Sequence, residues 1–276
     1  RRMMFKSPMW ITPLPPSLSA LGEGSHGSIL NGNYAPNRLT SACKPTLEGA
    51  ESTIAVGRQV PVGRVRLDLP GAFGRRHVLP PLLDLTRAYP KLDLSIMFSE
   101  RTVDILSEGT DLAVRIGELR DDPGLSARRL GSQRLVVCAS PEYLDRYGAP
   151  EEPAGLLRRD CIVGMRSDRR PTWLLMSKDG ATVSHGVNGR HEFSDGQAMV
   201  DAVLAGGGLS QLPTWLIGEH LKSGQLVQVL TEFAGAEMPI HAVWPTSRYL
   251  KPKVRILIDA LVQTAKQEGS GFRTPW

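Results

Sequence analysis

From Gly63 onward the apolar residues switch repeatedly between a period of two and a period near 3.6, and this alternation constrains the fold more than any other feature. Val65, Leu67 and Leu69 alternate and stop at Pro70-Gly71; Leu79, Leu82 and Leu83 then recur at helical spacing as far as Tyr89-Pro90. Leu92, Leu94, Ile96 and Phe98 alternate again, a second helix is predicted over Val103 to Glu108, and Asp111 to Gly117 reads as a third, buried strand. Strands separated by helices of this length imply right-handed crossovers and a parallel sheet, so the fold class is α/β.

The pattern continues with a different texture. Leu135 to Ala139 is an apolar run ending at Ser140-Pro141, and a helix carrying Tyr143, Leu144 and Tyr147 follows. Trp173 to Met176 and Thr182-Val183 flank Lys178-Asp-Gly180, which predicts an antiparallel hairpin. His191 to Phe193 leads into Ser194-Asp195, a pair suited to capping a helix whose face carries Met199, Ala202 and Val203 and which ends at Gly206. Leu209 to Leu212 form a short strand closed by Pro213. After Pro252 the residues Val254, Leu257, Ile258, Leu261, Val262 and Ala265 hold the helical pattern for three turns.

Residues 1–38 follow neither period. They hold five prolines, four glycines and five serines and are expected to be a disordered or atypical segment. Gly22 to Gly27 matches the glycine string of dinucleotide-binding folds, yet a proline-rich stretch stands where that motif needs a strand. Cys43, Leu47, Ala50 and Ile54 then form one helical stripe. No apolar stretch is long enough for a membrane span. The net charge of +5 is unevenly spread, with +3 in residues 1–58, so the rest of the chain carries no strong nucleic-acid footprint. Cys43, Cys138 and Cys161 are too few and too widely spaced for a disulfide framework or a zinc knuckle, and predict buried thiols in a reducing compartment.

Several of these segments together carry a resemblance. Gly63-Arg-Val-Arg-Leu-Asp-Leu-Pro70, Phe73-Gly-Arg75, Leu79-Pro80, Tyr89-Pro90, Val103-Asp104, Glu108-Gly109 and Asp111-Leu-Ala-Val-Arg-Ile-Gly117 are similar to the effector-binding domain of LysR-type transcriptional regulators. So are Ala139-Ser-Pro-Glu-Tyr-Leu144, Gly206-Gly-Gly-Leu209, Leu212-Pro213 and Pro252-Lys-Val-Arg255. The resemblance covers roughly residues 40–267. It implies a two-lobed, periplasmic-binding-protein-like (type 2) α/β domain with two crossover hinge strands and a small-molecule effector in the cleft. On it, residues 39–62 are the remnant of a linker helix and 63–268 the effector-binding domain. One lobe is built from 64–134 and 239–268, the other from 135–238, and 269–276 form a tail.

The implied function is transcription control through ligand-biased rearrangement of a homodimer or tetramer in the cytoplasm, without enzymatic activity, cofactor, metal or membrane partner. The family begins with a winged helix-turn-helix, and a recognition helix cannot be built across Pro8, Pro13, Pro15 and Pro16. DNA contact is therefore expected only through a winged helix absent from this chain. The alternative is a periplasmic-type solute-binding protein, which needs an export signal.

Helix N-termini at the ends of strands favour anions, because free N–H groups and the positive end of the helix dipole converge there. That physics selects Gly71, Ala72 and Phe73 after the first strand, Glu100, Arg101 and Thr102 after the second, and Ser194 and Asp195 before the helix of Met199. Thr102 and Ser194 serve equally well as plain helix caps. Arg115 stands in an otherwise apolar strand, facing either the cleft or a neighbouring carboxylate, and Pro213 completes the candidate set. An anionic effector is expected. Enzyme motifs are absent: there is no Gly-x-Ser-x-Gly elbow, phosphate loop or His-Glu-x-x-His, and the six histidines are scattered. Trp173, Trp215 and Trp244 read as core or hinge packing rather than a stacking platform.

Overall fold

A computed structural model describes residues 60–100, 104–165 and 170–272. The linker-helix stripe and the proline-rich segment lie outside the described residues.

The first strand, β1 (Gly63–Leu69), places Val65, Leu67 and Leu69 on its core face, all nearly or fully buried. Pro70 turns the chain into a continuous helical run made of α1 (Gly71–Phe73), a π-helical stretch (Gly74–Val78) and α2 (Leu79–Ala88). The widened stretch has a covalent cause. Pro80 and Pro81 carry no N–H and cannot bond the carbonyls of Arg76 and His77, so the ladder shifts register just before them. Gly74 is fixed by contact, since a Cβ there would lie 2.7 Å from Leu69 Cβ and 3.2 Å from the Phe98 ring.

Strands β2 (Leu92–Phe98) and β3 (Leu112–Ile116) run parallel to β1 on either side of it. The long β4 (Leu125–Ala139) and the late β11 (Glu237–Pro245) complete this half of the sheet, β11 running antiparallel to both β3 and β4. The three strands that sequence predicts to be parallel, β1, β2 and β3, are so, and the sheet becomes mixed where β11 re-enters from the other half of the molecule. Between β2 and β3, where sequence predicts a helix, the described residues 104–109 form turns. Asp104 Oδ1 accepts from Leu106 N at 3.0 Å and Ser107 N at 3.3 Å, and Gly109, at φ +63°, ends the segment. Helix α6 (Pro252–Ala265) buries Val254, Leu257, Ile258, Leu261 and Ala265 beside Leu82 of α2, which closes the core of the first lobe.

β4 changes partners along its length. Residues Leu125 to Arg134 pair with β11, and Leu135 to Cys138 pair with β9 (Leu209–Pro213), while Val137 to Ala139 also bond β10 (Val227–Val229). The N–H of Leu135 donates to the carbonyl of Ala236, just ahead of β11, so both crossings between the lobes lie side by side. The second half continues through β5 (Cys161–Gly164) to β8 (Gly189–Phe193), both parallel to their neighbours. Helices α3 (Pro141–Tyr147), α4 (Gly196–Leu204) and α5 (Thr214–Lys222) surround it. The predicted hairpin is β6 (Thr172–Met176) with β7 (Thr182–Gly186).

The apolar run at the end of β4 explains the second lobe. Val137 and Ala139 face one cluster with Tyr143, Leu156, Trp173 and Leu209, while Val136 and Cys138 face another with Ile162, Val203, Leu212 and Ile217. Successive residues of a strand point to opposite faces, so a continuous apolar run fits a sheet covered on both sides. Cys138 and Cys161 are free and buried, and burial pushes both thiols up to about 12, leaving no thiolate at neutral pH. Past α6, Phe272 is buried with its ring 4.9 Å from that of Phe73, and residues 273–276 of the expected tail lie outside the described residues. Among the described residues no helix is long and apolar enough to cross a membrane.

Candidate functional site

The end of β1, the end of β2 and the start of α4 meet at one point. Gly71 N–H donates to Glu100 Oε1 at 2.7 Å, and the neighbouring N–H of Ala72 also favours the charged form of that carboxyl. From the second lobe Asp195 caps α4, its Oδ1 accepting from Gln197 N at 2.9 Å and Ala198 N at 3.0 Å. Its other oxygen, Oδ2, accepts from Arg75 Nη2 of the first lobe at 3.0 Å. The approach is close. A Cβ on Gly71 would lie 3.1 Å from Glu100 Oε1 and 3.2 Å from Asp195 Oδ2, and one on Gly196 would lie 3.5 Å from Ala72 Cβ.

Asp195 alone pairs with the Arg75 guanidinium, whose charge Glu100 also feels. Burial raises the Glu100 pKa and the nearby Asp195 charge adds to this, against the N–H groups of Gly71 and Ala72 and the charge of Arg75. Burial would also raise Asp195, but the N–H groups of Ala198 and Gln197 together with Arg75 outweigh it and hold that carboxyl below its ordinary value. Arg75 is further steadied over the ring of Phe98, 5.7 Å from its centroid. Among the described residues no group of three or more His, Cys, Asp or Glu side chains converges at metal-binding geometry.

Of the residues selected from sequence, Gly71, Ala72, Glu100 and Asp195 come together here. Phe73 is buried and turns away into an aromatic cluster with His77, Trp215 and Phe272. Ser194 is exposed, and Asp195 alone caps the helix. Arg115 lies inside the first lobe, its Nη2 2.7 Å from Oδ2 of the buried Asp68, so of its two readings the neighbouring carboxylate is the one realised. Burial raises the Asp68 pKa while Arg115 opposes it. Pro213 ends β9 opposite Leu135 at the crossing and leads into α5. Arg101 and Thr102 lie outside the described residues.

Arg75 is absent from the sequence-based set, although it stands four residues after Gly71 and so on the same side of a helical turn. Trp215 also belongs to the contact between lobes: its ring lies 5.3 Å from Phe73, and its Nε1–H donates to Gln133 Oε1 on β4 at 2.9 Å. Sequence marks Trp215 as core or hinge packing but not α5 itself, since Gly218 interrupts its apolar face.

Comparison with known proteins agrees with this architecture. The family model described as the LysR substrate binding domain matches residues 58–266. The HTH-type transcriptional regulator DmlR of Escherichia coli K12 is 36% identical over 209 residues, covering 75% of this chain and 66% of the relative. The HTH-type transcriptional activator TtdR of the same strain is 30% identical with the same coverage of both chains. The chain thus spans just under two thirds of the length of these curated relatives. Among solved structures, CrgA, a LysR-type transcriptional regulator from Neisseria meningitidis, is 28% identical with a TM-score of 0.64, covering 79% of this chain and 74% of that one. The full-length virulence activator AphB of Vibrio cholerae is 26% identical, also at a TM-score of 0.64, covering 78% and 73%. With the family model matched over most of its length and two lobes joined by paired crossing strands, the chain belongs to the LysR substrate binding domain family.

Proposed function

We propose that this chain is the effector-sensing part of a transcriptional regulator, and that a small anionic molecule binds between the lobes on the N–H groups of Gly71 and Ala72. One observation carries the reading: the N–H of Gly71 already holds a carboxylate, that of Glu100, beside Ala72 and where Asp195 and Arg75 join the lobes. An effector carboxylate would replace Glu100 on the same donors and so change the contact with Asp195. The lobes in this reading are 64–134 with 239–268, and 135–238. A ligand shifts their arrangement only by as much as it prefers one arrangement to the other, and reversing a 1:99 balance takes about 5.5 kcal/mol of such preference.

The regulator would act in the cytoplasm as a homodimer or tetramer, contacting DNA through a winged helix as the HTH-type relatives are named for, and the proposal assigns it no catalytic chemistry. A shallow groove of about 380 Å³ between α2 and β2, lined by Arg64, Leu83, Thr86, Leu92, Asp93 and Leu94, supports a self-association surface on the first lobe. β2 is an edge strand of the sheet, and Leu83 and Met97 are exposed beside it.

The test is a thermal-shift screen of small carboxylates and phosphates followed by calorimetry. Glu100→Gln removes the competing charge and should tighten a binding anion by about 0.5–1.5 kcal/mol, the ordinary scale of one hydrogen bond. Unchanged affinity in Glu100→Gln would contradict the proposed displacement.

A further inference from the structure

Behind the Gly71–Asp195 contact the lobes meet a second time, around a titratable ring. His77, in the π-helical stretch of the first lobe, lies 5.0 Å from the ring of Phe73 and 4.9 Å from Trp215, the latter at 90°. Trp215 belongs to α5 of the second lobe and is anchored on Gln133. The chain after α6 closes the third side. A Cβ at Gly271 would lie 2.5 Å from Cε1 and Nδ1 of the imidazole, and the nearby backbone of Ser270 favours the protonated ring. Among the described residues its Nε2 is buried with no hydrogen-bond partner.

Few charges of the described residues reach this ring. Its own helix supplies Arg76, whose positive charge opposes protonation. Helix α5 brings Trp215 against it and carries Glu219, whose carboxylate feels Arg76, and His220, whose Nδ1 bonds Gln225 Oε1. The segment after α6 contributes Ser270 and Gly271, with Lys266 and Glu268 exposed further back. An imidazolium here would carry an N–H at Nε2 with no acceptor among the described residues, and relief requires one wall to move. Trp215 is the wall that belongs to the other lobe.

We propose that His77 is a proton-sensitive latch between the two lobes: the neutral ring lets Trp215 pack against it, and protonation releases α5 from the Phe73–His77 side. This goes beyond the effector reading, since no small molecule enters it. Burial first and Arg76 second lower the His77 pKa to about 4, against the backbone of Ser270. A released ring would titrate near the usual value of about 6.5. The packed arrangement binds fewer protons, so it is fully favoured above the released value and loses ground as pH falls toward the packed one. At about pH 5 the balance should move roughly tenfold or more toward release.

The full chain is followed by nuclear magnetic resonance of its histidine rings and by hydrogen exchange, corrected for intrinsic rates, between about pH 7.5 and pH 5. The latch predicts a His77 ring that resists protonation well below the ordinary range. It also predicts that protection of residues 71–78 and 214–222 falls roughly tenfold over that interval. His77→Phe keeps the aromatic wedge but cannot titrate, and should abolish the pH dependence. A wild-type His77 titrating at its ordinary value, or the same loss of protection in His77→Phe, overturns the proposal. Should His77→Phe fail to fold, Trp215→Leu decides: the His77 pKa returning toward its ordinary value supports the latch, and an unmoved low value overturns it.

Discussion

The two lobes use the same alternation of strand and helix, yet they bury their sheets differently. The second lobe covers both faces of its sheet with apolar side chains, Val137 and Leu209 to one side, Val136 and Ile162 to the other. The first lobe has one large apolar face built on β1, α2 and α6, while its opposite face, among the described residues, holds the small cluster of Ile105, Ala113 and Val243. Asp68 and Arg115 interrupt that second face, and His241, the register partner of Arg115 on β11, adds a buried Nδ1 without a hydrogen-bond partner. One lobe thus packs apolar side chains on both faces of its sheet, and the other packs them on one side and sets a charged pair on the other. The pair ties β1 to β3 two residues before the chain enters Pro70 and Gly71, so it supports the strand end that delivers the candidate site.

Breaking the pair from one side should have the largest effect. Arg115→Ala leaves Asp68 buried and uncompensated and is expected to destabilise the protein by about 3–5 kcal/mol, whereas replacing both residues with apolar ones of similar volume should cost far less. Chemical denaturation of the two variants checks this, and equal losses would mean that the charges themselves are not what matters. Next in size, Ile162→Ala in the second lobe and Leu257→Ala in α6 of the first should each cost about 2–5 kcal/mol as cavities in dry cores. If the lobes unfold as one cooperative unit, both variants shift a single transition; two separated transitions would divide the molecule at Arg134 and Leu135.

Smaller effects belong to the contact between lobes. Asp195→Ala removes the side-chain cap of α4 and should cost about 1 kcal/mol by thermal unfolding. The depressed pKa of Asp195 sets its pH dependence: the contribution is present above the unfolded value of 3.8 and is lost as pH falls through the lower folded value. Arg75→Ala should change stability least, by under about 1 kcal/mol, because its bridge to Asp195 is substantially exposed. Its effect should appear in anion binding instead, as weaker affinity in calorimetry.

The same contrast explains what was legible in the sequence. Strands and helices with clean periods were readable, such as Val65-Leu67-Leu69 and the face of α6, because each buries one side against a neighbour. β11 was not, since Pro239 and His241 break its alternation, and it is held in place by pairing with β3 and β4 across the whole chain. Neither was the four-residue β5, too short to show a period. At the site, helix-end physics located Gly71, Ala72, Glu100 and Asp195. It gave Glu100 no role as the occupant of the Gly71 amide, because a strand-end carboxylate reaching a neighbouring helix depends on tertiary distance alone. His77 was one of six scattered histidines until the fold placed Trp215 and Gly271 around it.

In the proposed mechanism an anion acts at the amides of Gly71 and Ala72 by replacing Glu100. Amide chemical shifts recorded during titration with an anion selected by thermal shift test it directly. Gly71, Ala72 and the first residues of α4 should move together and saturate at the calorimetric Kd. If those amides stay still while others, such as those lining the α2–β2 groove, respond, the effector binds elsewhere and the account of this site is wrong.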